Sequence, residues 1–243
     1  MKTLKLQLLA ASMFAFAAAH AQGVPPAAPA APAHTSPTPN PQTGLGTAGR
    51  DRASYQTPGS STNDAVIYQS ISGQYANINQ TAGTAGGNSA DIYQLDGSDN
   101  NANITQTNTS PVSFLGRNEA RIDQFGYTNT SDQVQTGGAN RAYSVQGAGV
   151  RNSSTTQTQE GIKNDAYINQ QSGENNYASQ SQRNMFPNDG NSAEIIQRDT
   201  NGSTALQTQQ GRSNVASTMQ TGASSYSEII QGGGQNQAFV NQK

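Results

Sequence analysis

Fifteen glutamines share one short sequence frame, and that frame leaves the chain few folds to choose from. They are Gln69, Gln80, Gln94, Gln106, Gln124, Gln135, Gln146, Gln157, Gln170, Gln182, Gln197, Gln207, Gln220, Gln231 and Gln242. Four residues before each stands Ala in eleven cases and Ser in four. Six residues before stands Asn in twelve, with Gln74, Arg151 and Ser225 as the exceptions. Two residues before, Ile occurs eight times and Val once. The unit is N-x-A-x-I-x-Q, seen most clearly in Asn88–Gln94, Asn118–Gln124 and Asn164–Gln170. A spacing of two places all four side chains on one face of an extended strand, whereas a helix needs a period near 3.6. The opposite face is free in kind (Asp64, Val66 and Tyr68 in one unit, Ser192, Glu194 and Ile196 in another). One constant face and one variable face mark an inside and an outside. Glycines after the glutamine, as in Gln124-Phe125-Gly126, supply turns.

The gaps between successive glutamines alternate. After odd-numbered units they are 11, 12, 11, 11, 12, 10 and 11; after even-numbered units 14, 18, 11, 13, 15, 13 and 11. One class of turn is tight, and the other accepts inserts such as 107–117 with Pro111 and 183–190 with Pro187. Units therefore pair into rungs of two strands. The fold expected is all-β: a β-solenoid, or cross-β column, of about seven and a half rungs. Stacked rungs lie ~4.8 Å apart, a column of roughly 36 Å. Asn then lies over Asn and Gln over Gln. An amide both donates and accepts, so each column satisfies itself without water. The structural ladder residues expected are Asn63, Gln69, Asn88, Gln94, Asn118, Gln124, Asn140, Gln146, Asn164, Gln170, Asn191, Gln197, Asn214, Gln220, Asn236 and Gln242.

Composition agrees with a fold held by amides. Apolar residues make up 32% of the chain and charged residues 12%, with a net charge of −2. That charge is too small to hold a chain open by repulsion. Ahead of the repeats, Lys2 and Lys5 precede an apolar run from Leu6 to Ala19, and Ala19-His20-Ala21 forms a cleavage site. The run is shorter than the ~20 residues a bilayer requires. We read residues 1–21 as a secretory signal peptide cut between Ala21 and Gln22. Its loss leaves 11 basic residues against 15 acidic ones, a balance that argues against a nucleic-acid partner. Residues 22–62 hold Pro25, Pro26, Pro29, Pro32, Pro37, Pro39, Pro41 and Pro58 and read as a disordered Pro/Ala-rich linker. Residues 63–243 are the repeat domain.

Catalytic readings find little support. Cysteine is absent, and the two histidines lie in the leader and the linker. Asp96 with Asp99, or Asp123 with Asp132, are the nearest approach to an acid/base pair, but outward acids more often discourage aggregation. Asp96-Gly97-Ser98-Asp99-Asn100 lacks the residue order of a calcium loop. Tyr68, Tyr93, Tyr143 and Tyr167 read as outward strand residues. No enzyme activity and no cofactor is expected. The last unit, Asn236-Ala238-Val240-Gln242, stops one residue before Lys243. Solenoids that remain soluble carry caps, so an open edge is expected to dock another subunit.

In these residues the chain resembles the curlin repeat of curli subunits, with its N-x-A-x(3)-Q half-repeat, Gly-bearing turn and two strands per repeat. The resemblance covers roughly Asn63–Gln242. It implies a secreted subunit that polymerises into an extracellular amyloid fibre, with roles in biofilm and adhesion. It further implies self-association, a nucleating partner subunit and an outer-membrane export pore. The chain departs from that family in its number of repeats, its inserts and its Pro-rich leader segment. The competing readings are a monomeric β-solenoid adhesin, or an ice- or ligand-binding module, which would want a regular outward array such as Thr-x-Thr on every rung.

Overall fold

The computed structural model describes residues 63–70, 73–83, 86–109, 117–184 and 190–243. The signal peptide, its cleavage site at Ala21 and Gln22, the linker and most of the two Pro-containing inserts lie outside them. The described residues contain strands and no helix. In chain order the strands are β1 (Asp64–Gln69), β2 (Tyr75–Thr81), β3 (Asn88–Gln94), β4 (Asn101–Asn108), β5 (Asn118–Gln124), β6 (Thr130–Gly138), β7 (Arg141–Arg151) and β8 (Ser154–Ile162). They continue as β9 (Asp165–Glu174), β10 (Tyr177–Asn184), β11 (Ser192–Arg198), the short β12 (Thr200–Asn201), β13 (Thr204–Arg212), β14 (Val215–Thr221), β15 (Tyr226–Gly234) and β16 (Gln237–Gln242).

The strands form two parallel sheets. The first runs β1-β3-β5-β7-β9-β11-β14-β16, with β12 beside the tail of β9; the second runs β2-β4-β6-β8-β10-β13-β15. Successive long strands alternate between the sheets, so the described residues wind as a β-solenoid of seven two-strand rungs and one further strand. Register within the sheets pairs like with like. In β3 and β5, Asn88 faces Asn118, Ala90 Ala120, Ile92 Ile122 and Gln94 Gln124.

Two units sit two residues later than the spacing predicts. Gln135 pairs with Gln159, so Gln159 and not Gln157 occupies the ladder position of β8. Gln182 pairs with Gln209, displacing Gln207 in β13 in the same way. The earlier frame would set Arg151 and Asn201, both exposed, where the buried Ser153 and Ser203 stand. A guanidinium in a column that narrow has no water and no room. With the corrected positions the gaps leaving the second sheet become 14, 18, 11, 11, 15, 11 and 11. Uninserted turns thus share one length, and inserts occur at three of the seven.

The core is thin. Ala90, Ile92, Ala102, Ile104, Ala120 and Ile122 form one buried apolar cluster, and Ile168, Ala178, Ile195 and Ala205 form another. Between them the interior turns polar. Ser144 and Thr155 hydroxyls meet at 2.8 Å, and Thr155 donates to Ser131 at 2.8 Å.

Most turns set a left-handed backbone just before the inward-facing Asn or Ser of the corner; those before Asn88, Asn118 and Asn191 do not. On the side entering the second sheet this position holds Asp99, Thr128, Asn152, Asn175, Gly202 and Ser224, all at positive φ. Asp, Asn and Gly tolerate that region; a β-branched residue does not. Thr128, at φ 55° and exposed, is the misfit of the column. Thr128→Asn is therefore expected to raise stability by about 0.5–1 kcal/mol, read as a higher denaturation midpoint with an unchanged slope.

Candidate functional site: amide ladders and their open ends

Position and packing confine each ladder glutamine to one geometry. Its side chain points into a core too narrow for water, beside small Ala or Ser, so the primary amide must bond within the column. In the first sheet Nε2 of each glutamine donates to Oε1 of the next: Gln69 to Gln94 at 2.7 Å, Gln94 to Gln124 at 2.7 Å, Gln124 to Gln146 at 2.8 Å and Gln146 to Gln170 at 3.0 Å. The column continues from Gln170 through Gln197 and Gln220 to Gln242 at 2.8–2.9 Å. The second N–H of the amide crosses the core to a backbone carbonyl of the other sheet, as Gln94 does to Tyr75 and Gln220 to Thr204, both at 2.9 Å. One side chain thereby ties its rung to the next and its sheet to the opposite sheet.

The second sheet repeats the arrangement through Gln80, Gln106, Gln135, Gln159, Gln182, Gln209 and Gln231, at 2.7–2.9 Å. The asparagines of the first sheet form a column of opposite polarity. Asn88 Nδ2 donates back to Asn63 Oδ1 at 3.0 Å, and Asn118, Asn140, Asn164, Asn191, Asn214 and Asn236 each donate to the one before at 3.0–3.3 Å. All sixteen residues named from the sequence stand in these two columns of the first sheet. In the second sheet the matching corner is mixed. Asn100 and Asn129 alternate onward with Ser153, Asn176, Ser203 and Ser225, each accepting from or donating to its neighbour through backbone N–H groups.

One column escaped the sequence reading. Gln133, Gln157, Gln180 and Gln207 take the inward place that Ile78, Ile104 and Ile229 hold elsewhere in the second sheet. They bond in series at 2.8–3.1 Å and end on the Thr218 hydroxyl at 3.0 Å. At the other end Gln133 Oε1 meets Ile104 and is buried without a partner. The available signal was Gln-x-Gln, present in four successive second-sheet strands.

The outer faces differ. On the first sheet the Arg121 guanidinium lies over the rings of Tyr93 and Tyr143, with centroids at 4.9 and 5.4 Å, and pairs with Asp123 at 2.8 Å. The Tyr143 hydroxyl donates to Asp123 at 2.7 Å, and the Tyr143 and Tyr167 rings lie 5.6 Å apart. Tyr93 and Asp123 face outward but are buried, so neither is the solvated residue that the strand pattern suggested. Asp123 faces out from the first sheet and Asp132 from the second, which separates them as a catalytic pair. Asp99 instead serves the turn, at φ 58°, with the Ser98 hydroxyl donating to it at 2.8 Å. No group of three or more metal-ligating side chains occurs among the described residues.

Burial and the Asp123 carboxylate push the Tyr143 phenol well above its ordinary value of 10.0, and burial raises Tyr167 as well. A folded-state pKa above the unfolded one contributes stability that is complete below pH ~10 and lost as pH climbs through the folded value. Stability is accordingly expected to fall above pH ~10. Tyr143→Phe should make that alkaline decline shallower in a series of denaturant titrations.

On the second sheet the outer columns read Thr105-Val134-Thr158-Ser181-Thr208-Ile230 and Thr107-Thr136-Glu160-Arg183-Gln210. Val134, Glu160, Arg183 and Ile230 interrupt any hydroxyl lattice. Comparison of the chain with protein-family models, curated proteins and solved structures finds no match among them.

Proposed function

We propose that this protein is a secreted structural subunit that self-assembles into extracellular, curli-like amyloid fibres. The observation that carries the reading is the polarity of the open ladders. At one end Gln231 and Gln242 hold Nε2 donors whose axial direction meets no further glutamine among the described residues; at the other, Gln69 and Gln80 hold the matching Oε1 acceptors. β1, β2, β15 and β16 likewise each have one edge with no described strand beyond it. Such edges template further pairing. Every rung already has the cross-β geometry a fibre needs, so docking requires no refolding.

The curlin-like motif supports the remaining parts of the proposal: export past an outer membrane, a nucleating partner, and a role in biofilm and adhesion. No catalytic chemistry is assigned to the column. The interrupted outer columns favour the fibre over an ice- or ligand-binding monomer.

The test uses the chain from Gln22 onward. Incubated at tens of micromolar, it is expected to become thioflavin-positive and to give fibres diffracting at ~4.7 Å along the axis and ~10 Å across it. A chain that stays monomeric and dye-negative would sink the reading, and inhibition of ice growth by that monomer would install the alternative.

A further inference from the structure

Among the described residues, β1 and β16 are the first and last of the long strands and lie in the same sheet, which holds eight of them against seven in the other. This imbalance decides how one copy can continue another, an argument that rests on the fibre reading above. Because strands alternate between sheets, each stands half a rung above its predecessor. The next position above β16 is in the second sheet, directly over β15.

We propose that successive copies stack head to tail with a rotation of about half a turn around the column axis, so that the first sheet of one copy is continued by the second sheet of the next. The incoming β1 then lies on β15 and the incoming β2 on β16. Strand direction is preserved, because half a turn carries the first sheet's direction into that of the second. Side chains match in register. Gln231, Ile229 and Ser227 meet the incoming Gln69, Ile67 and Ala65; Gln242, Val240 and Ala238 meet Gln80, Ile78 and Ala76. The Gln231 and Gln242 donors point at the incoming Gln69 and Gln80 acceptors, and the Asn236 and Ser225 oxygens await backbone N–H groups. Ile230, the most exposed large apolar side chain among the described residues at 72%, comes to lie on the incoming Tyr68. Reversed polarity excludes head-to-head contact, which would set donor against donor.

Stacking by translation alone fails in one sheet. With the incoming β1 on β16, Gln242 still meets Gln69, but the incoming β2 stands two rungs above β15. A strand's width is left open there, and the backbone edges of both strands go unpaired.

The chain contains no cysteine, so introduced thiols report alone. Tyr68→Cys with Ile230→Cys tests half-turn stacking, and Tyr68→Cys with Asn241→Cys tests translation. Within one copy either pair is separated by most of the column, so a disulfide can form only between copies. Fibres grown reduced and then mildly oxidised are expected to yield at least tenfold more cross-linked multimer from the first pair. Cross-linking through the second pair, or through neither, overturns half-turn stacking and leaves the fibre reading standing. Failure of the unmodified chain to form fibres overturns both. Helical reconstruction of unmodified fibres decides independently of the variants: a rise of about 36 Å with half a turn is expected, and about 38 Å without rotation refutes it.

Discussion

Gly161→Ala is expected to be among the most damaging single substitutions in the column, costing upward of about 3 kcal/mol. Gly161 sits at φ +101°, a region L side chains avoid, and an added Cβ would fall within the carbonyl oxygen of Asn184 on the next rung. Neither group can yield cheaply, because Gly161 and Asn184 are paired at the end of the β8–β10 ladder. The same approach recurs above and below. A Cβ at Gly137 would strike the Gly161 carbonyl, and one at Gly211 the Gly233 carbonyl. The rungs must therefore separate at this corner or the turn must refold. Gly232→Ala supplies the control, since nothing lies within 4 Å of its added methyl and its φ is ordinary. That change should be neutral or stabilise by up to ~1 kcal/mol through the unfolded chain. Denaturant midpoints of freshly desalted monomer separate the two; equal midpoints would show that rung spacing at this corner is not the constraint.

The column was legible because its information is local. A spacing of two, repeated with alternating gaps, dictates strands, sheets and rungs together. The errors arose where the motif is degenerate in kind. β8 carries both Gln157 and Gln159, and β13 both Gln207 and Gln209, all four facing inward. A slip of two residues keeps every side chain on its proper face, so hydrophobic patterning cannot detect it. In β8 the corner resolves the frame, because Ser153 fits a buried position that Arg151 would not; in β13 an Asn would suit the corner as well as Ser203, and only the pairing of Gln182 with Gln209 fixes the frame. The outer face was unreadable for another reason. Arg121 gains its ring partners from Tyr93 and Tyr143, each more than twenty residues away, and only stacking brings them together. Left-handed turns fall between these cases: Asp99, Asn152 and Asn175 announce them, whereas Ala139 and Lys163 adopt positive φ with no residue type to signal it.

Gln124→Leu should cost about 2–6 kcal/mol, whereas Gln69→Leu should cost about half as much, roughly 1–3 kcal/mol, although both delete one rung of the same ladder. Gln124 is fully buried: it accepts from Gln94 at 2.7 Å, donates one N–H to Gln146 at 2.8 Å and shares the other between the Asn101 and Asn129 carbonyls at 3.1 and 3.3 Å. Leucine fills similar space but leaves a donor on Gln94 and an acceptor on Gln146 buried without partners, each worth roughly 1–3 kcal/mol. Gln69 is exposed, and its loss frees only one group, the acceptor of the fully buried Gln94, where Gln124→Leu frees two. The order should reverse for assembly. Gln69 supplies an acceptor for the next copy, so Gln69→Leu should slow fibre growth while costing the monomer less than Gln124→Leu does. Gln124→Leu should lower monomer stability and, in whatever fraction remains folded, present an unaltered end. Paired measurements of unfolding midpoint and seeded elongation rate distinguish the two effects. If both variants lost stability alike, the ladder would act as a sum of independent contacts instead of a continuous column with sensitive middles and functional ends.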